Sequence, residues 1–330
     1  MFVSHTRQMS LDSLLTWPNL SAHFDLLPEI QPLELPVAKK KLVTLDCLRL
    51  DKVHPFVSGN KWYKLKHHIL EAQAAGKGSL LSFGGAYSNH LHALAYAGKS
   101  LNVKTIGVVR GEVSGQLTPT LQDCIDWGME LHWLNRLEYR DIASAESVKA
   151  YSSKFPEAWI IPEGGAGEQG ILGIKSLFSS LHHAGVINYD VVACAVGSGA
   201  TFAGIVQANI GAAQCLGFSA LKGAHDLEDR VERQIKSSVK VNKWRICHDY
   251  HFGGFAKINS RLTNFISDTY EQHGYLLDPV YTGKMLYGLA EYLHQGRIRP
   301  GARILIVHTG GLQGWRGFGD QYNKFSSIQL

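Results

Sequence analysis

The amino-acid sequence predicts an α/β protein with two parallel-sheet domains. Three observations carry this. Strand-like apolar runs alternate with segments of helical spacing between residues 65 and 162, the pattern of a parallel sheet with crossover helices. A second alternating set follows residue 163, and it contains the wholly apolar run Val191 to Val196. The 330 residues are enough for two domains sharing a cleft or for one large α/β unit. The expected division is a large domain of residues 1–64 and 163–330 and a small domain of 65–162.

Taken in order, residues 1–40 read as an irregular lead-in punctuated by Pro18, Pro28, Pro32 and Pro36. Leu42 to Leu48 reads as a short strand and Asp51 to Pro55 as a turn. Ser58-Gly59-Asn60-Lys61-Trp62-Tyr63-Lys64-Leu65 then opens a helix running to about Gly76. Trp62, Leu65, Ile69 and Ala72 recur at helical spacing and form its buried stripe. Ser58 or Asn60 can cap it. Lys61 and Lys64 lie one turn apart on one face. The helix dipole favours anions rather than lysine at this end, which points to an anionic or carbonyl partner. The plainer reading is two solvated lysines.

Ser79 to Phe83 reads as a buried strand that breaks at Gly84-Gly85-Ala86-Tyr87-Ser88-Asn89-His90. A helix opens with Leu91, Leu94 and Ala95 and ends near Gly98. Lys104 to Val109 is the next strand. Leu117 to Trp127 is a helix closed by Gly128. Leu131 to Leu134 and Trp159 to Ile161 are strand candidates. Pro162 to Gly167 crosses to the second domain, and a helix follows from Gly170 to His183. Val191 to Val196 runs into Gly197-Ser198-Gly199-Ala200-Thr201 and a helix through Ile205. Cys215 to Ala220 is a strand. Leu227 to Val239, Arg261 to Gln272 and Gly283 to His294 are helices, with a loop or short strand at Leu276 to Tyr281. Arg303 to His308 is a last buried strand, stopped by Thr309-Gly310-Gly311.

Composition narrows the function. Hydrophobic residues make up 45% and charged residues 18%, as in ordinary globular proteins. The net charge of +5 is spread along the chain, too diffuse to argue for nucleic acid and compatible with a small anionic ligand. The 16 histidines, among them His67-His68 and His182-His183, read mostly as surface residues. The five cysteines are scattered, without a Cys-x-x-Cys, which argues against a disulfide framework or a zinc site and for a reducing compartment. Met1 to Trp17 carries no signal-peptide core, and no apolar run approaches ~18 residues. The expected location is the cytoplasm.

Four stretches can carry chemistry. Gly197 to Thr201 joins a strand to a helix, where backbone N–H groups and the dipole attract an anion. It lacks the lysine of a P-loop. It also has Phe202 where a dinucleotide fingerprint needs its third glycine, which weakens a nicotinamide-dependent oxidoreductase. A single phosphate remains, against a tight turn with no ligand. Gly84 to His90 offers donors to a carboxylate, against a helix capped by Ser88. Tyr281-Thr282-Gly283-Lys284 puts an aromatic at a cleft edge, against a packed loop tyrosine. His308-Thr309-Gly310-Gly311 ends a strand where ligands of open α/β sheets bind, against a simple turn. A lysine, a monophosphate cup, a carboxylate loop, an aromatic face and a hydroxyl together are what pyridoxal phosphate needs.

Six ordered motifs then make the chain resemble a known family. They are Ser58-Gly59-Asn60-Lys61, Gly84-Gly85-x-x-Ser88-Asn89-His90, Pro162-x-Gly164-Gly165, Gly197-Ser198-Gly199, Asp278-Pro279-Val280-Tyr281-Thr282-Gly283-Lys284 and His308-Thr309-Gly310-Gly311. Over residues 40 to 315 the chain resembles the 1-aminocyclopropane-1-carboxylate (ACC) deaminase / D-cysteine desulfhydrase family. The resemblance implies the two-domain fold type II of pyridoxal-phosphate enzymes, tryptophan-synthase-β-like, with the cofactor in the cleft.

It also implies roles. Lys61 is the Schiff-base lysine and proton shuttle. Asn89 bonds the cofactor's phenolic oxygen. Ser88 meets the substrate carboxylate, with Tyr87, Asn89 and His90 beside the substrate. Lys64 and the stretch Gly197, Ser198, Gly199, Ala200 and Thr201 hold the phosphate. Tyr281 lies against the ring as a second acid/base or nucleophile, and Thr309 faces the pyridine nitrogen. A small amino-acid substrate and a homodimer are implied.

Family ACC deaminases carry Glu and Leu where this chain has Thr282 and Thr309, so it looks like the D-cysteine desulfhydrase side. Departures from the family pattern are Tyr87 and His92, where Gln and Arg are frequent, Trp62-Tyr63 after Lys61, Ala166 and Ala200. The expected reaction converts D-cysteine to pyruvate, hydrogen sulfide and ammonia. The rivals are ACC deamination and a pyridoxal-phosphate-binding protein without turnover.

Overall fold

The wholly apolar strand of residues 191–196 has two covered faces, and this sets the architecture. Val191, Ala193 and Ala195 enter one hydrophobic cluster, while Val192, Cys194 and Val196 enter another on the opposite side. A strand buried on both faces belongs at the centre of a parallel sheet with helices on either side. The structure is a computed structural model that describes residues 28–112, 116–208, 210–235, 243–319, 322 and 325.

The strands are β1 (Glu29–Pro32), β2 (Thr44–Arg49), β3 (Ser79–Gly85), β4 (Lys104–Arg110), β5 (Met129–Leu134), β6 (Ala158–Ile161), β7 (Val191–Val196), β8 (Gln214–Ser219), β9 (Trp244–Cys247) and β10 (Arg303–His308). They form a six-stranded sheet ordered β1-β2-β10-β7-β8-β9 and a four-stranded sheet ordered β5-β4-β3-β6. Every pairing is parallel except β1 with β2. The proposed division at residues 64 and 163 leaves each sheet whole.

The helices are α1 (Pro36–Lys40), α2 (Asn60–Ala74), α3 (Asn89–Leu101), α4 (Pro119–Asp126), α5 (Arg136–Arg140), α6 (Ala145–Lys154), α7 (Gly167–His183), α8 (Ala200–Gln207), α9 (Leu227–Gln234), α10 (Ser260–His273) and α11 (Thr282–His294). On α2, Trp62, Leu65, Ile69 and Ala72 are buried as the spacing predicts. The helix crosses α7 at backbone distance. A Cβ on Gly173 would lie 1.8 Å from the Tyr63 carbonyl oxygen, so only glycine permits the crossing.

Several expectations are corrected. The lead-in contains β1 and α1; Pro36 stands at the first turn of α1, where proline is tolerated. Residues 1–27 lie outside the described residues. Helices α5 and α6 carry almost no apolar stripe, with Tyr139 buried in the first and nothing buried in the second, so periodicity could not find them. The four-residue edge strand β9 was likewise too short to stand out. Helix α9 stops at Gln234, and residues 236–239 of its expected extent lie outside the described residues.

Helix α3 does not stop at Gly98; it runs to Leu101, and Asn102 closes it at φ +53°. Gly98 sits inside because a Cβ there would lie 2.3 Å from Thr105 Cγ2 and 2.8 Å from the Val103 carbonyl oxygen. Gly98→Ala is therefore expected to destabilise the fold by about 1–3 kcal/mol, despite alanine's better helix propensity. Urea unfolding measures this as a lowered midpoint at unchanged m-value.

The histidines are less superficial than their sequence context suggests. His90, His92 and His308 are buried, and so is His68, whose Nε2 donates to the Ala166 carbonyl at 2.9 Å. Burial pushes the His68 pKa down to about 4. All five cysteines are buried and free. Among the described residues, no helix is long and apolar enough to cross a membrane.

Candidate active site

Three strand ends meet the start of α2. Gly59 precedes that helix at φ +70°, and a Cβ there would lie 2.0 Å from the Thr309 carbonyl oxygen. That oxygen accepts from the Asn60 N–H at 3.2 Å, which fastens α2 to the end of β10. The expected side-chain cap is absent. Ser58 Oγ donates to the Asp51 carbonyl instead, and Asn60 is already the first helical residue. The Asn60 amide joins two strand ends: its Nδ2 donates to Thr201 Oγ1 at 2.7 Å, and its Oδ1 accepts from Lys61 Nζ at 3.0 Å. One side chain thus ties the lysine to the glycine loop, although Lys61 and Thr201 are far apart in sequence.

Loss of hydration disfavours the Lys61 ammonium and brings its pKa from 10.5 to about 8, with Asp278 pulling the other way. Lys64 is buried, and its Nζ donates to the Gly164 carbonyl at 3.1 Å. Burial lowers its pKa far below the ordinary value, and the neighbouring Lys61 charge adds to the effect. Lys64 is therefore not a solvated surface lysine.

The glycine loop after β7 turns at Gly199 with φ +91° and feeds directly into α8. Its first amides point along the start of a helix, a ready anion site. A Cβ on Gly197 would lie 3.0 Å from Tyr281 Cε1, so this glycine leaves room for the tyrosine ring. Asp278, fully buried, shapes the loop that presents Tyr281. Its Oδ1 accepts from the Val280 and Tyr281 N–H groups at 2.9 and 2.8 Å. Its Oδ2 accepts from the Thr282 N–H at 2.7 Å and the Thr282 hydroxyl at 2.6 Å. The Thr282 hydroxyl is therefore committed to Asp278. Burial raises the Tyr281 pKa well above 10, so the phenol keeps its proton.

The loop after β3 supplies the facing wall. Ser88 Oγ accepts from the Leu91 N–H at 3.2 Å, so Ser88 does cap α3, with its own hydroxyl proton left to donate. The His90 ring is turned into the interior. Ser82 Oγ donates to the Ile161 carbonyl at 2.8 Å, so it must accept from His90 Nε2, also at 2.8 Å. His90 Nδ1 has no partner among the described residues, and burial lowers the ring's pKa far below 6.5. Tyr87 is 43% exposed and lies against Gly317. His92 Nε2 bonds Asp123 Oδ2 at 3.1 Å, and its ring meets Trp127 edge-on. A small pocket lined by Phe56, Ser58, Asn89, His92, Leu312 and Gln313 lies beside these groups.

Behind Thr309, Arg49 grips Asp51 through two hydrogen bonds of 2.8 and 2.6 Å, and His308 Nδ1 lies 3.3 Å from Asp51 Oδ1. This buried trio braces the strand end. Two site residues have no role assigned from the sequence, although Asp278 stands in the Asp278 to Lys284 motif. Asp278 carried a local signal, an aspartate four residues before a threonine in a Pro-containing turn. Gln313 carried none, because its partners Asn89 and Thr120 lie some two hundred residues away in sequence.

The chain is similar to several known proteins. The family model described as "Pyridoxal-phosphate dependent enzyme" matches residues 31–310. A Pyrococcus abyssi protein named "Putative 1-aminocyclopropane-1-carboxylate deaminase" is 30% identical over 331 residues, covering 94% of this chain and 97% of its own. The Arabidopsis thaliana "Bifunctional D-cysteine desulfhydrase/1-aminocyclopropane-1-carboxylate deaminase, mitochondrial" is 29% identical over 280 residues, 78% of this chain and 70% of its own. A solved structure titled "Crystal Structure Analysis of the ACC deaminase homologue" superposes with a TM-score of 0.76 at 26% identity, covering 92% and 94% of the two chains. Threonine deaminase isoform 2 from Solanum lycopersicum shares the fold, with a TM-score of 0.64 at 15% identity over 96% and 92%.

Proposed function

Since the chain belongs to the pyridoxal-phosphate-dependent enzymes, with their fold type II architecture, we propose that it eliminates thiolate from D-cysteine to give pyruvate, hydrogen sulfide and ammonia. Pyridoxal phosphate is its cofactor, and its activity is that of the ACC deaminase / D-cysteine desulfhydrase lyases. The observation that carries the residue assignment is the Asn60 bridge, which holds Lys61 Nζ and the Gly197–Thr201 loop at one place. The residues fit the group. Gly199 turns the chain for an anion, Gly197 clears the Tyr281 ring, and burial brings the Lys61 pKa down to about 8, so the free amine is accessible at mildly alkaline pH.

When bound, pyridoxal phosphate supplies an electron sink for the carbanion formed beside the substrate's nitrogen. The chain supplies the rest. The amides of Gly197 to Thr201 would hold the phosphate, with Lys64 Nζ as a further hydrogen-bond donor. Lys61 Nζ anchors the aldehyde and carries the proton removed from the substrate α-carbon. Ser88 donates its hydroxyl proton to the substrate carboxylate, and Asn89 Nδ2 donates to the ring oxygen. Tyr281 keeps its phenol proton for the departing sulfur. Thr309 would face the ring nitrogen. Tyr87 and His92 border the substrate side, and His90 supports the wall from behind.

The preference for D-cysteine rests on residue 282. Thr282 is neutral and bound to Asp278, so no carboxylate extends from that position. A thiol of pKa about 8.5 leaves readily, whereas opening a cyclopropane needs a stronger electron sink. Assays of keto acid and sulfide release from D-cysteine, L-cysteine and ACC test this. D-cysteine is expected to lead by kcat/KM, and faster release of 2-oxobutyrate from ACC would contradict it. The names of the relatives favour that second reading.

The lowered Lys61 pKa gives a pH prediction. Only the free amine adds to an aldehyde, so the rate at which apoenzyme takes up cofactor should rise about tenfold per pH unit and level off near 8. An ordinary lysine would level off near 10.5. Stopped-flow absorbance measures the profile. The assembly is proposed as a homodimer in the cytoplasm, and sedimentation velocity tests the former.

A further inference from the structure

The Asn89 side chain has two ends that differ chemically, and the fold decides which end faces the cleft. Its Oδ1 accepts from Gln313 Nε2. The orientation of Gln313 is fixed in turn by a group that can only donate. Arg316 Nη2 lies 3.1 Å from Gln313 Oε1, so that atom must be the carbonyl oxygen. The Thr120 hydroxyl donates to the same oxygen at 2.6 Å. The opposite end of Gln313 faces the Tyr87 carbonyl at 3.4 Å, an atom that can only accept. Arg316 is anchored by Asp123 Oδ2 at 2.6 Å, which also accepts from His92. Gln313 is buried, so water does not compete. With Oδ1 held on one side, Asn89 Nδ2 is directed to the other, beside Gly311, where a Cβ would lie 2.9 Å from it.

We propose that Gln313 is the positioning residue that presents the amide hydrogens of Asn89, rather than its oxygen, to the cofactor's ring oxygen, with Arg316 and Thr120 setting Gln313. This rests on the placement of Asn89 at the ring oxygen given above. Thr120, Asp123 and His92 belong to α3 and α4 beside the four-stranded sheet, whereas Gln313 and Arg316 follow β10 of the six-stranded sheet. The relay therefore also joins the two sheets across the cleft. A donor on the ring oxygen favours its anionic form and lowers the pH midpoint of the cofactor's visible absorption. Reversing Asn89 removes the donor and puts a lone pair there instead.

The experiment is spectral titration of holoenzyme carrying Asn89→Ala, Gln313→Glu or both. Gln313→Glu keeps the shape and the Arg316 contact but turns an acceptor toward Asn89. It is expected to raise the midpoint by about one unit, a tenfold change in the proton equilibrium. In the Asn89→Ala background the same substitution is expected to add nothing. An increment that persists without Asn89 would mean that the new charge acts directly, and would overturn the proposal, as would no increment at all. Gln313→Met, which removes the tether without a charge, carries the same test if Gln313→Glu does not hold cofactor. If Asn89→Ala leaves the midpoint of a normal band unmoved, the placement of Asn89 fails and the proposal with it. Absence of the band in the unsubstituted protein would instead remove the cofactor site.

Discussion

Lys61→Ala is expected to lose turnover of the amino-acid substrate by about ten-thousand-fold and the cofactor's visible band near ~420 nm, while the fold is retained. Both effects follow from one amine. Lys61 Nζ is the group held by Asn60 Oδ1 beside the glycine loop, and no neighbour in the site can replace it. Lys64 Nζ is engaged with Gly164, and Lys284 Nζ donates to the Gly254 carbonyl at 2.7 Å. Lys61→Arg keeps a charge but supplies no neutral amine, so it is expected to be equally inactive. Steady-state assay and absorbance spectra check both variants, and a Lys61→Ala protein with a normal band and measurable turnover would refute the assignment.

Asp278→Asn is expected to unfold the Tyr281 loop, at a cost of about 3 kcal/mol or more. The four groups on Asp278 all donate: three backbone N–H groups and the Thr282 hydroxyl. An amide nitrogen in place of one oxygen confronts these donors with another donor inside a buried site. Tyr281 would leave its place over Gly197, so kcat falls as well. Thr282→Val removes only the hydroxyl bond and should cost about 1 kcal/mol. Urea unfolding distinguishes the two, and a shift for Asp278→Asn no larger than that for Thr282→Val would contradict the account.

Much of the fold could be read from the sequence because its strongest signals are local. Val191 to Val196 is apolar throughout, Arg303 to His308 holds the apolar run Ile304 to Val307, and α2 carries an unbroken helical stripe, so all three stand where expected. Elements with weak local signals escaped: α5 and α6 bury little, and β1 and β9 have four residues each. Gly98 misled because its small size serves contact with Thr105 rather than a helix end. His68 misled because its partner, the Ala166 carbonyl, belongs to a distant turn.

The candidate site divides in the same way. Lys61, the Gly197 loop and Tyr281 were singled out because lysines, strand-end glycines and a loop aromatic are local features. Their convergence depends on an Asn60 contact that no spacing reveals, and the Asn89–Gln313–Arg316 relay depends on chain crossings. Ser88 satisfied the plain reading, a cap, while keeping the proton that its proposed role needs. Asn60 is a plausible cap for α2 by sequence and instead bonds Thr201 of the glycine loop.

Lys61, half-buried, and Lys64 and Lys284, both buried, are the lysines that could bind the cofactor. Holoenzyme reduced with borohydride, digested and sequenced by mass spectrometry should carry the pyridoxyl group on the peptide containing Lys61. Attachment at Lys64 or Lys284, or at no lysine, would contradict the site described here.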